Sequence, residues 1–279
     1  MPMTTIEQSI FDAVYGADTL STSPTVGNDI MAGTAIKDVV YLLDGDDIVA
    51  SGEGNDKLKG GDGNDQLFGE GGNDILFGNA GQDVLAGGAG KDSISGGDDM
   101  DTIEGGSGAD KLWGDDGDDV ILGWNGNDIM YGGLGNDVLR GEQDNDKLYG
   151  GNGDDEIYGG DGNDKISAGQ GSDVIDGGAG SDIINGNNGD DFISGGLNND
   201  AIRGGGGNDA VSGDGYLSPR LLIPNKRDLP PLDRCFGTSP SQAANCLPFL
   251  KHVRSPTAAT SAVAVIGPIP SIFPIRWHI

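Results

Sequence analysis

An aspartate returns every nine residues through most of this chain, always in phase with an aliphatic residue two places further on. Cut from Gly27, the chain divides without insertion into 21 blocks that end at Gly215. GNDKLKGGD (54–62), GNDILFGNA (72–80), GNDIMYGGL (126–134) and GDDEIYGGD (153–161) are typical. The third position is Asp in every block, from Asp29, Asp38 and Asp47 to Asp209. The fifth is always aliphatic: Met31, Val40, Val49, Leu58 and onward to Ile202 and Val211. The first is Gly except at Ile36, Asp99, Asp144 and Asn198. Three of those exceptions are Asp or Asn, which best tolerate the positive φ that Gly otherwise supplies.

This period limits the local geometry. The fifth residue and its two neighbours make a minimal strand, with the aliphatic side chain on one face and the neighbours on the other. Those neighbours include Lys57, Gln66, Glu104 and Arg140, so they face solvent. The segment G-G-x-G-x-D reads as a tight turn. Strand, turn, strand and turn make a coil of 18 residues, and alternate aliphatic residues line two facing sheets. Ten and a half coils at ~4.8 Å spacing give a rod about 50 Å long.

One aliphatic side chain in nine is a thin core for so much glycine backbone. Charge adds to the difficulty. Residues 27–215 hold 40 Asp+Glu against 9 Lys+Arg, a net of −31, although the whole chain carries −29. Like charge at this density opposes a compact state unless cations neutralise it. The same sign excludes nucleic acid as a partner, since few Lys and Arg are available to meet phosphates. Calcium suits the donors present: it takes six to eight oxygens from carboxylates and backbone carbonyls. Zinc and copper favour Cys or His, and the repeats contain neither.

Written from its glycines, the unit is G-G-x-G-x-D-x-U-x, with U aliphatic. It closely resembles the calcium-binding nonapeptide of the repeats-in-toxin (RTX, haemolysin-type) family. The resemblance implies an all-β fold, a right-handed parallel β-roll, with each ion held between the turns of blocks n and n+2. Carboxylate ligands are then expected from the last 18 blocks: Asp56, Asp65, Asp74, Asp83, Asp92, Asp101, Asp110, Asp119, Asp128, Asp137, Asp146, Asp155, Asp164, Asp173, Asp182, Asp191, Asp200 and Asp209. Carbonyl ligands are expected from Gly60 and Gly63, Gly105 and Gly108, Gly132 and Gly135, Gly150 and Gly153, Gly159 and Gly162, and Gly177 and Gly180. These 18 blocks leave 16 gaps one coil apart, so about 16 Ca²⁺ is the upper bound, and their +32 nearly cancels the −31 of the repeats. Weaker sites are expected at 142–146 and 197–201. The first two blocks lack good turns, because Ile36, Leu42 and Leu43 replace glycines and Lys37 adds positive charge. That end reads as an apolar cap over the first coil.

The flanks differ. Residues 1–26 read as a lead-in without the basic start and apolar run of a cleavable signal peptide. Residues 216–279 hold ten of the twelve prolines, Cys235, Cys246, His252 and His278, and a basic balance. The family resemblance implies an uncleaved C-terminal signal for one-step (type I) export, but the ending FPIRWHI, with Arg276 and His278, departs from that pattern. This segment is expected to lack a stable fold and not to be an evolved export signal. A capping domain, a linker with a Cys235–Cys246 disulfide and a shifted reading frame remain alternatives. No stretch reaches the ~20 clean apolar residues of a membrane span.

Other chemistry finds no footing. No EF-hand loop is completed after Asp44 and Asp46, no G-x-S-x-G is present, and Gly90-Lys91 is followed by Asp92 where a P-loop needs Ser or Thr. One outward row stands out: Trp113, Tyr131 and Tyr149 lie 18 residues apart and are expected to stack on successive coils. The row reads either as a stabilising ladder or as a platform for a polysaccharide or cell-surface partner. The expectation is a non-enzymatic extracellular module that folds on meeting calcium. The alternatives are a fragment of a secreted RTX protease, lipase, epimerase or cytolysin, and an adhesion or surface-layer protein.

Overall fold

The structure, a computed structural model, describes residues 25–213. The expectations for residues 1–24 and 214–279, including the lead-in and the proline-rich segment with Cys235 and Cys246, lie outside the described residues. Within them, 21 strands run from Ile30–Thr34 to Ala210–Ser212. Alternate strands build an 11-stranded and a 10-stranded sheet. Every pairing is parallel and offset by 18 residues, as in Leu112↔Met130 and Met130↔Leu148. This is the parallel solenoid of 18-residue coils anticipated from the period. No helix among the described residues is long and apolar enough to cross a membrane.

The strands are longer than the three residues the pattern suggests. Most run for six, from the fourth position through the ninth, as in Lys57–Asp62 and Ile129–Leu134. Glycines assigned to the turn therefore belong partly to strand, because their backbones continue the ladder. The ladder skips one residue: Tyr131↔Tyr149 is followed by Gly133↔Gly151, leaving Gly132 and Gly150 at the seventh position unpaired in register. Two positions adopt positive φ. At the first position, Asp99 (77°), Asp144 (77°) and Asn198 (80°) take the place of Gly as expected. At the eighth, Asn79, Asp115 and Asn187 do the same, while Glu70, Trp124 and Glu142 accept positive φ as well, which their chemistry does not announce.

The core is a single file of fifth-position side chains. They are buried from Met31 to Ile193, with Leu58 through Ile157 fully covered. All 21 were expected inside, but Ile202 is only partly buried and Val211 is 42% exposed. No later strand among the described residues covers that end. The apolar cap at the other end is also smaller than expected. Leu42 is buried, while Ile36 and Leu43 stand 70% and 47% exposed.

Candidate metal centre

The turns are built around the third-position aspartates. Each backbone N–H donates to the carboxylate of the aspartate one coil further on, as in Asp101 N to Asp119 Oδ1 and Asp119 N to Asp137 Oδ1, at 2.8 and 2.9 Å. The ladder continues from Asp29 to Asp209. It uses only one oxygen of each carboxylate. The other, Oδ2, is buried without a hydrogen-bond partner in Asp47 and in every expected ligand from Asp56 to Asp200. Such atoms have lost their water and gained no donor, an arrangement that costs several kcal/mol unless a cation or proton answers it.

Glycine at the seventh position opens the space beside these oxygens. A methyl on Gly132 would overlap Asp137 Oδ2 and the carbonyl oxygen of Gly150. On Gly105 it would lie 2.7 Å from Asp110 Oδ2 and 3.0 Å from the carbonyl oxygen of Gly123. Gly60, Gly150, Gly159 and Gly177 face Asp65, Asp155, Asp164 and Asp182 in the same way. Here Gly provides room, since its φ is ordinary; Leu42, Ser51 and Ala168 take the same position in other turns. The expected first-position glycines, Gly63, Gly108, Gly135, Gly153, Gly162 and Gly180, lie in the same turns and stack closely on the first-position carbonyl one coil earlier. Among the described residues, those carbonyls accept none of the backbone hydrogen bonds that tie turns together.

These donors fit a hard divalent cation. Among the described residues, no three carboxylates or imidazoles converge on one point. A calcium shell of six to eight oxygens must therefore include main-chain carbonyls, and the turns bring seventh-position carbonyls beside the free Oδ2, with first-position carbonyls stacked in the same turns. At the seventh position, the carbonyls of Gly69 and Gly78 are already claimed by side chains. Ser51 Oγ donates to the oxygen of Gly69 (3.0 Å), and Asn79 Nδ2 to that of Gly78 (2.6 Å).

Burial drives the carboxyl pKa values upward. It raises Asp101 and Asp146 to about 8, and Asp83, Asp128, Asp137 and Asp155 to about 7. Asp65, Asp74, Asp92, Asp119, Asp164 and Asp173 reach about 6. The N–H donated from the previous coil pulls each one back, and neighbouring carboxylates push again, Asp83 and Asp119 on Asp101 for example. Holding these groups ionised needs positive charge in the turn.

The ends depart from the pattern. Asp38 Oδ2 accepts from the N–H and hydroxyl of Thr34 at 2.6 and 3.0 Å. Asp29 is held likewise by Thr25. Both, omitted from the expected ligands, therefore carry internal donors where later turns have none. Asp209 Oδ2, expected as a ligand, is not among the buried unpartnered oxygens. Asp47 was left out of the expected set, yet its Oδ2 is buried and unpartnered; Leu42 fills the seventh position that faces it.

A second ladder was not anticipated. At the second position, Asn or Asp Oδ1 accepts the N–H of the next coil's second residue, as in Asn136 N to Asp118 Oδ1 (2.7 Å) and Asp154 N to Asn136 Oδ1 (2.8 Å). The recurring Asn-Asp and Asp-Asp pairs carry its signal.

Carboxylate-edged turns stacked in a parallel solenoid define a class of cation-dependent repeat proteins. The family model for the RTX calcium-binding nonapeptide repeat matches in overlapping copies from residue 25 to residue 215. The chain belongs to this family, whose repeats bind calcium. No curated protein matches the chain.

Proposed function

We propose that residues 27–215 form a calcium-dependent folding module that works outside the cell and has no catalytic role. The observation that carries this reading is the unbroken series of buried Oδ2 atoms without donors, from Asp47 to Asp200. A bound cation supplies the positive charge these oxygens lack and ties each coil to the next. The third-position carboxylates and the first- and seventh-position carbonyls would hold it. Ions between turns one coil apart number up to about 16, by the spacing of intact blocks. A chain of this charge stays unfolded where free calcium is scarce and folds where it reaches the ~0.1–1 mM range typical of extracellular modules. That difference favours folding after export, and the family resemblance supports a type I route. The test is a calcium titration followed by circular dichroism, with bound ions counted by native mass spectrometry. Cooperative gain of strand signal and a count well above ten support the reading. One or two ions, or equal folding in magnesium, would overturn it.

A further inference from the structure

The repeats hold nine lysines and arginines, and six of them lie on one surface. Lys57, Lys59, Lys111, Lys147, Lys165 and Arg203 occupy fourth or sixth positions of the ten-stranded sheet, flanking the buried fifth residue. All are exposed except Lys57, which is half-buried against Tyr41 and Phe77. No Asp or Glu occupies a fourth or sixth position of any strand in that sheet. The same positions of the eleven-stranded sheet hold Glu104, Glu156 and Asp176 against Arg140. A repeat region of net −31 thus carries a face with +6 at these positions.

Among the described residues, none of the six forms an ion pair. Lys147 and Lys165 are direct neighbours in register, a like-charge pairing that costs stability. The aromatic row lies on the same face. Trp113 stacks on Tyr131 at 5.8 Å and Tyr131 on Tyr149 at 4.8 Å, with planes 7° and 9° apart. Stacked this way, the rings cover one another's faces and present their edges to solvent, with the hydroxyls of Tyr131 and Tyr149. Ser95 and Ser167 flank the stack in register; Ser95 Oγ donates to Asp115 Oδ2 (2.6 Å) and Ser167 Oγ accepts from Asn187 Nδ2 (2.7 Å).

We infer that this face binds a linear acidic polysaccharide laid along the stack of coils. Lys111, Lys147 and Lys165 meet its carboxylates or sulfates. The Trp113–Tyr131–Tyr149 row meets sugar hydroxyls and ring C–H groups. The spacing of cations favours such a polymer over nucleic acid. Along the Lys111–Lys147–Lys165 row, cations recur every one or two coils, roughly 5–10 Å, whereas duplex DNA carries a charge every ~1.7 Å. The acidic turns at both edges of the sheet repel so dense a polyanion, while a polymer with about one charge per sugar matches the row.

The experiment uses the full chain, calcium-loaded, with carboxymethyl-dextran and unmodified dextran as matched probes in affinity electrophoresis. Binding is expected for the charged polymer alone and should weaken with salt. The triple variant Lys111→Gln, Lys147→Gln, Lys165→Gln should lose about tenfold or more in affinity and show a flatter salt dependence. Its calcium-induced circular dichroism should be unchanged, which separates loss of the face from loss of the fold. The control Lys37→Gln, Lys91→Gln, Arg140→Gln removes the same charge from turns and the opposite sheet, and should bind as the parent does. Equal loss in both triple variants, or full binding by the first, would place the polymer on calcium at the turns and overturn the inference. Equal binding of unmodified dextran would overturn it too, as would failure to bind either polymer. So would sedimentation showing that the face joins copies of the chain.

Discussion

The first two turns and the central turns share one backbone plan but answer their aspartate carboxylates differently. At Asp29 and Asp38, threonines four residues earlier donate an N–H and a hydroxyl. At Asp119 and Asp137, the free oxygen faces a glycine and a carbonyl, with no donor at all. At the first two turns the coil closes with internal donors alone. What calls for positive charge is a carboxylate whose second oxygen has lost water and found no hydrogen. A hydroxyl satisfies one such oxygen locally. On the proposed reading, a cation shared by two coils satisfies them collectively and makes folding conditional on its supply.

Chelation is the sharpest way to break this comparison. Removing calcium at pH 7.5 should abolish most strand signal in circular dichroism, because central turns far outnumber those with threonine donors. A β spectrum that survives excess chelator would show that the unpartnered oxygens are tolerated, and the contrast would lose its meaning. Acid should act in the opposite sense on the metal-free chain. Burial raises the folded-state carboxyls to between about 6 and about 8, above the ~3.9 of an unfolded aspartate. A raised folded pKa stabilises the coils below the unfolded value, and this is lost as pH rises through the folded one. Strand content without calcium should therefore be higher at pH 5 than at pH 8. Calcium affinity should run the other way and increase with pH, since the ligands must be ionised. Metal-free spectra that do not respond between these values would contradict the assigned burial.

Single substitutions sharpen the contrast further. Asp119→Ala removes the acceptor of the Asp101 N–H together with one unpartnered oxygen. It should cost about 2–3 kcal/mol from the charged hydrogen bond alone and raise the calcium midpoint. Asp38→Ala should leave that midpoint in place, because its second oxygen belongs to Thr34. Equal midpoints for both variants would mean that the two regions do not differ. The seventh position offers a subtler test. Gly132→Ala drives a methyl into Asp137 Oδ2 and the Gly150 carbonyl, an overpacking worth about 1–3 kcal/mol. Nature has placed such a methyl at Ala168, whose turn leads to Asp173. Ala168→Gly should strengthen calcium binding in that turn, read as a lower midpoint in the titration. No change would show that the space beside Oδ2 is not where the ion's shell needs room.

The smallest effect belongs to the aromatic row. Changing Trp113, Tyr131 and Tyr149 together to Thr removes two ring pairs worth about 1–3 kcal/mol in sum. Thermal melts with calcium should shift modestly and the calcium midpoint hardly at all. A collapse of folding would make the row a principal support of the sheet.

The nine-residue phase of Asp and aliphatic residues determined the coil, the alternation of two sheets, the buried file from Met31 to Ile193 and the stacking of the third-position aspartates in register. It could do so because a strict period leaves one geometry in which every aliphatic side chain reaches the core. The stacking of Trp113 on Tyr131 and Tyr149 followed from the same 18-residue offset. Other features depended on neighbours one coil away, which a linear pattern does not display. Among them are the division of labour within each carboxylate, one oxygen for the ladder and one left over, and the threonine donors of the first turns. The second-position Asn/Asp ladder and the strand extension through glycine belong here too. So does the room that glycine leaves at the seventh position, since only folding brings an aspartate oxygen and a foreign carbonyl to the place a side chain would fill. The exposure of Val211, Ile36 and Leu43 was likewise settled in three dimensions, because burial at the end of a stack depends on what covers it and not on the period.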